Sequence, residues 1–132
     1  MPLSGKKYVK HDLAAITGDD FLKNEGISEV HFIKIDVDGN DFNVLKGFQK
    51  TIENHQPVIQ FEYSHWWESL GYSLLTAKSF FEGMNYTILV MDGEKLTEKL
   101  PSGIDKFFVT KNLIAFPNSL QKEFVENGVI LK

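Results

Sequence analysis

Residues 32–47 read Phe32-Ile33-Lys34-Ile35-Asp36-Val37-Asp38-Gly39-Asn40-Asp41-Phe42-Asn43-Val44-Leu45-Lys46-Gly47. The near-continuous apolar run from Val30 to Val37 is the pattern of a strand covered on both faces. It ends in Asp36, Asp38 and Gly39. From Asn40 to about His55, Phe42, Leu45, Phe48 and Ile52 then recur at helical spacing. A strand of this kind delivers carboxylates to the carboxyl end of a sheet, where open α/β folds place their chemistry. Asn40 is expected to cap the first helical amides, and Asp41 suits the positive helix end. Gly47, costly inside a helix, is expected to pack closely on the sheet.

Working outward, Pro57 opens a second strand, Val58 to Tyr63, which also ends near a carboxylate, Glu62. Residues 74–84 form an amphipathic pattern, Tyr86 to Met91 a third strand, and Asp92-Gly93 a turn. A polar excursion covers 93–103. Residues 107–109 and 112–116 read as a hairpin stopped by Pro117, and 119–126 as a closing helix. Upstream, a strand is expected around Tyr8–Ile16. Thr17 reads as a helix cap before Asp19-Asp20-Phe21-Leu22, with Gly26 closing that helix. The expected class is α/β: a mixed sheet with parallel strands, a right-handed crossover and an antiparallel edge strand, with helices packed on it.

The chain has 132 residues, enough for one domain with a substantial core, and eleven Phe make that core aromatic. Its net charge is −4 and no Lys/Arg cluster occurs, which argues against nucleic acid and anionic membranes as partners. With no Cys there is no disulfide framework, Cys zinc site or thiol nucleophile, in keeping with a cytoplasmic setting. The apolar runs fall far short of the ~20 residues a membrane span needs. Met1 to Lys7 lacks the apolar core of a signal peptide. No Gly-x-Ser-x-Gly elbow, Walker loop or Gly-x-Gly occurs.

Three chemistries compete for Asp36, Asp38 and Asp41. Asp36-x-Asp38-x-Asn40 offers alternate oxygen ligands for calcium, but an EF-hand would need Gly at 41 and Glu at 47, where Asp41 and Gly47 stand. Asp-x-Asp after an apolar strand also resembles the haloacid-dehalogenase phosphohydrolases, with Asp36 as nucleophile and Asp38 as acid/base. The later acidic pair that fold needs is missing downstream; Asp19-Asp20 lies upstream.

The third reading rests on the most residues. Ile33-Lys34-Ile35-Asp36-Val37, Gly39 and Val44-Leu45-Lys46-Gly47 resemble the motif of the FkbM-type S-adenosylmethionine-dependent methyltransferases. Asp38 and Asp41 stand where that family usually carries Glu. Asp19-Asp20-Phe21-Leu22, Pro57, Glu62, Leu70-Gly71-Tyr72 and Asn112 to Pro117 follow the family order, so the likeness spans about residues 15–118. It implies a Rossmann-like methyltransferase sheet, of which this chain carries the C-terminal half, strands four to seven. The domain 1–132 divides into a lead-in 1–16, a family-like region 17–118 and a terminal helix and tail 119–132.

The resemblance implies S-adenosylmethionine as cofactor, its methionine end beside Asp36, Val37, Asp38 and Gly39. The implied reaction is O-methylation of a small molecule or sugar hydroxyl, with Asp36 or His65 as base. Glu62, His65, Trp66 and Trp67 would line the acceptor pocket, and no metal is implied. Without a glycine-rich loop, the complete enzyme calls for a missing N-terminal half. The contrasting expectation is a non-catalytic binding or oligomerisation module. Lys34 is expected to form a salt bridge, and His11, His31 and His55 to be structural or solvated. The strand at 30–37, lacking one neighbour, is expected to be the contact of a homo-oligomer, unless the N-terminal segment folds back over it.

Overall fold

A computed structural model describes residues 7–92, 95–97 and 111–128. Apolar and polar positions alternate along the strands, so a single sheet sorts its residues to two faces. Its strands are β1 (Phe32–Lys34), β2 (Val58–Tyr63), β3 (Tyr86–Asp92), β4 (Lys95–Thr97) and β5 (Lys111–Pro117). They lie in the order β1-β2-β5-β3-β4. β1 and β2 are parallel, while β5 is antiparallel to both β2 and β3. The fold is thus α/β with a mixed sheet. The antiparallel edge is β4, and β5 is drawn inside the sheet, where four successive apolar residues, Leu113 to Phe116, are buried on both faces. Residues 107–110, half of the expected hairpin, lie outside the described residues.

The helices are α1 (Gly18–Asn24), α2 (Asp41–Gly47), α3 (Gln49–His55), α4 (Trp66–Ser69), α5 (Leu74–Glu82) and α6 (Gln121–Glu126), the last preceded by a 3-10 turn at Asn118–Leu120. On one face Ile33, Ile35, Phe42, Leu45, Ile52, Ile59, Phe61, Trp67, Phe81 and Tyr86 form the main core. On the other, Leu89, Ile114 and Phe116 meet Leu120, Phe124 and Val125 beside α6. The Tyr86 hydroxyl, its pKa pushed up by burial, donates to the Pro57 carbonyl at 2.7 Å and joins β3 to the start of β2.

Several local expectations change. Residues 7–17 form no strand, and Tyr8, Val9, Leu13 and Ile16 are exposed, as no neighbouring strand offers them a ladder. Nor do they cover β1. The strand expected over Val30–Val37 shortens to three residues, and only one of its faces is covered: Ile33 is buried while Phe32 and Lys34 are exposed. The helix expected over 40–55 breaks at Phe48, whose φ of −107° and ψ of 13° join α2 to α3 at an angle. That break lets Phe48 meet Gly18, where an added Cβ would lie 2.3 Å from the ring. Gly47 packs on the backbone of Thr17 and Gly18 and not on the sheet. Asn40 makes no side-chain cap; its Oδ1 accepts from Asn43 Nδ2 at 2.7 Å.

The Thr17 cap forms as expected, its hydroxyl oxygen accepting the Asp20 amide at 3.1 Å. Asp19, two residues after Thr17, caps a different helix. Its carboxylate accepts the amides of Lys50 and Thr51 at 3.0 and 2.9 Å and the Thr51 hydroxyl at 2.6 Å. These are orphan donors of the first turn of α3, which Phe48 cannot satisfy.

Candidate functional site

The site begins with a ladder that stops early. β1 and β2 pair in register Phe32 with Val58, Ile33 with Ile59 and Lys34 with Gln60. The amide of Ile35 then donates to the Gln60 carbonyl at 2.8 Å. The next rung of a parallel ladder would send the Glu62 amide to the Ile35 carbonyl. Asp41 takes that amide instead: its Oδ1 accepts it at 3.0 Å from the first turn of α2. The chain after Ile35 is thereby released from the sheet. Asp36, two residues past the last paired position of β1, and Glu62, near the end of β2, thus both stand at the carboxyl end of this parallel pair. Lys34 Nζ lies 4.0 Å from Asp36 Oδ2. Both partners of that pair are over half exposed, so it contributes little to stability.

A tight turn returns the chain to α2. Asp38 and Gly39 adopt φ of +49° and +99°, and the Asn40 amide donates to the Val37 carbonyl at 3.3 Å. Asp tolerates the left-handed region through local hydrogen bonding. Gly39 has a second reason: a Cβ there would lie 2.6 Å from Trp66 Cβ. The aromatic loop after β2 therefore sits directly on the acidic turn after β1. The His65 and Trp66 rings lie 4.6 Å apart and tilted, with Trp66 56% exposed.

Trp67 faces the other way. Fully buried, it packs against Tyr63, Phe42 and Phe61 with ring centroids 5.0, 5.5 and 6.1 Å away. The structure thus gathers Asp36, Val37, Asp38, Gly39, Glu62, His65 and Trp66 at one rim of the sheet, and places Trp67 in the core beneath them. The side chain of Asp41 is also wholly buried there. Among the described residues no group of three or more His, Asp or Glu converges to hold a metal ion.

Two features escape the sequence pattern. One is the reach of Asp41 to Glu62, for which the only sequence signal is an acid in the first turn of a helix following a parallel strand. The other is a polar chain along α2. Lys46 Nζ donates to the Tyr72 hydroxyl at 2.5 Å, and that hydroxyl donates to Asn43 Oδ1 at 2.8 Å. Lys46 also lies 4.8 Å from the Tyr72 ring centroid, so the loop after α4 is held to the helix that follows the acidic turn.

Residues 3–91 match the family model of the methyltransferase FkbM domain, more than half of the chain. The chain belongs to the FkbM methyltransferase family. The match starts upstream of the span over which the motif likeness runs and ends at Met91, so in this FkbM domain β5 completes the sheet from outside the matched segment. Comparison with curated proteins and with solved structures finds no match. Of the three chemistries open to Asp36 and Asp38, membership favours methyl transfer. No helix among the described residues is long and apolar enough to cross a membrane.

Proposed function

We propose that this FkbM domain serves S-adenosylmethionine-dependent O-methylation of a small molecule or sugar hydroxyl, and that it supplies the carboxylate wall of the site. What supports this reading is that Asp36 and Glu62 both stand at the carboxyl ends of the parallel strands β1 and β2, with the Gly39 turn and Trp66 seated against each other beside them. The β1-β2-β5-β3 order has the arrangement expected for strands four, five, seven and six of a Rossmann-like methyltransferase sheet, with a short added strand, β4.

The donor set fits the cofactor's methionine end. Asp36 is an exposed carboxylate at a strand end, able to accept hydrogen bonds from an ammonium. When bound, S-adenosylmethionine supplies an electrophilic methyl group on a sulfonium. Asp36 or His65 holds the proton leaving the acceptor hydroxyl. Glu62 orients the acceptor through a second hydrogen bond, so that the reacting oxygen is positioned and not merely concentrated. Trp66 offers an exposed indole face on which a sugar or flat ring can stack. These 132 residues contain no Gly-x-Gly, so the glycine-rich loop of the opposite wall lies outside them, and the site as proposed is complete only together with that loop. The setting is cytoplasmic.

Calorimetric titration of S-adenosylhomocysteine into the chain tests the reading, alone and with a glycine-loop half supplied in trans. Heat that is lost in Asp36→Asn supports it. No heat at millimolar ligand in either mixture overturns it.

A further inference from the structure

We propose that Tyr72 is a positioning residue of the candidate site: its hydroxyl latches the aromatic loop after β2 to the acidic turn after β1, and so sets where Trp66 stands. Lys46 and Tyr72 come from two blocks of the family-like sequence, Val44-Leu45-Lys46-Gly47 and Leu70-Gly71-Tyr72, neither of which contributes to the rim. The fold brings the two blocks together. Backbone bonds tie Tyr72 to α4. The Gly71 amide donates to the Glu68 carbonyl at 3.0 Å, and the Tyr72 amide donates to the Trp67 carbonyl at 2.9 Å. Gly71 has φ of +79°. That is a Schellman closure, with glycine in the left-handed position just past the helix end. α4 has only four residues, too few to stand without tertiary support, so its orientation follows the groups that hold its two ends.

The side chain of Tyr72 ties that end to α2. Its ring lies 4.7 Å from the ring of Phe42, and its hydroxyl accepts from Lys46 and donates to Asn43. The bond from the ammonium is charge-assisted, the stronger kind. From Asn43 the run of bonds continues to the turn itself. Asn43 Nδ2 donates to Asn40 Oδ1 at 2.7 Å, and the Asn40 amide closes the turn on the Val37 carbonyl. Lys46, Tyr72, Asn43 and Asn40 thus link the loop that carries Trp66 to the turn that carries Asp38 and Gly39. At the opposite end of α4, Trp66 rests against Gly39. The β1–α2 connection therefore grips this short helix at both ends. Trp66 is 56% exposed, so burial does not fix it, whereas Trp67 is fixed by the core. The role assigned to Tyr72 rests on the methyl-transfer reading, in which Trp66 is the acceptor side of the site.

Tyr72→Phe keeps the ring on Phe42 and removes only the hydroxyl. The chain has two Trp, so its amide spectrum carries two indole signals, and that of Trp67 serves as an internal control. In the free chain, Tyr72→Phe is expected to shift the Trp66 indole and Asn40 amide signals while the Trp67 indole signal stays in place. Lys46→Met, which removes the donor to the same hydroxyl, is expected to move the same two signals. Titration with S-adenosylhomocysteine into the millimolar range then separates the latch from the chemistry. In wild type the Asn40 amide and the Trp66 indole are expected to respond together; in Tyr72→Phe the Asn40 response remains and the Trp66 response is lost. A Trp66 signal unmoved by Tyr72→Phe overturns the proposal and leaves the methyl-transfer reading standing. So does a Trp66 response to ligand that survives in the variant, or a shift of both indoles alike, which would mean that Tyr72 supports the core as a whole. No wild-type response at residues 36–40 overturns the methyl-transfer reading, and the role of Tyr72 falls with it. Should Tyr72→Phe fail to fold, the same signals in Lys46→Met decide.

Discussion

Oδ1 of Asp41 accepts the backbone amide of Glu62 at 3.0 Å, so a side chain of α2 ends the pairing of β1 with β2. Twenty-one residues separate the two in sequence. The bond closes the sheet at the level where the acids emerge, and it fixes the strand end that carries Glu62. Asp41→Ala leaves that amide without its partner in a buried setting, at a cost of about 1–3 kcal/mol. Asp41→Asn keeps an oxygen acceptor of the same length and is expected to cost clearly less. Urea unfolding of the two variants checks the order. Equal losses would mean that the amide contact is not what Asp41 contributes.

Gly39 is the one position in the acidic turn where both backbone and space exclude a side chain. Its φ is +99°, and a Cβ would press on Trp66. Gly39→Ala is expected to destabilise by about 1–3 kcal/mol and to change the fluorescence of the exposed Trp66, because the turn and the indole must separate. An unchanged emission spectrum and unfolding midpoint would show that the turn and α4 do not bear on each other.

The adjacent tryptophans separate structure from function. Trp67, buried among Tyr63, Phe42 and Phe61, is expected to cost about 3–5 kcal/mol when replaced by Ala. Trp66→Ala is expected to change stability by no more than about 0.5 kcal/mol while weakening acceptor binding. Thermal unfolding of both variants reads the first difference, and titration with the acceptor reads the second.

Asp19 gives the fold an acid-sensitive joint. Burial alone would raise its pKa, but the hydrogen bonds from the Thr51 hydroxyl and amide and from the Lys50 amide outweigh it and hold the carboxyl below its ordinary 3.8. The folded value lies below the unfolded one. The carboxylate's contribution is therefore complete above the unfolded value and is lost as pH falls through the folded value. Asp19→Ala is expected to cost about 0.5–2 kcal/mol near neutral pH, as for a lost helix cap. Urea midpoints followed from neutral pH into acid should converge for wild type and variant. Parallel curves would remove Asp19 from the acid response.

Much of this arrangement is legible in the sequence. The Asp36-to-Gly47 block carries the family, and the runs at 58–63 and 86–91 become β2 and β3 because their apolar residues leave no other reading. The cap at Thr17 is equally local. What escapes depends on tertiary partners. Val30–Val37 looks doubly covered, yet one face of β1 is open, so Phe32 and Lys34 stay exposed. Phe42 to Ile52 keep helical spacing through Phe48, and only its contact with Gly18 reveals the break. Trp66 and Trp67 are indistinguishable as neighbours in sequence; a single turn of α4 sends one to the rim and the other to the core. The Asp41–Glu62 bond joins residues with no periodic relation at all.

The central claim is that the rim formed by Asp36, the Gly39 turn, Glu62 and Trp66 is the methyl-transfer wall of an FkbM domain. Amide chemical shifts of the chain recorded with S-adenosylhomocysteine raised into the millimolar range test it most directly. Changes confined to residues 36–40 and 62–66, and abolished in Asp36→Asn, are predicted. Shifts that spare this rim and gather elsewhere, or none at any concentration, would contradict it.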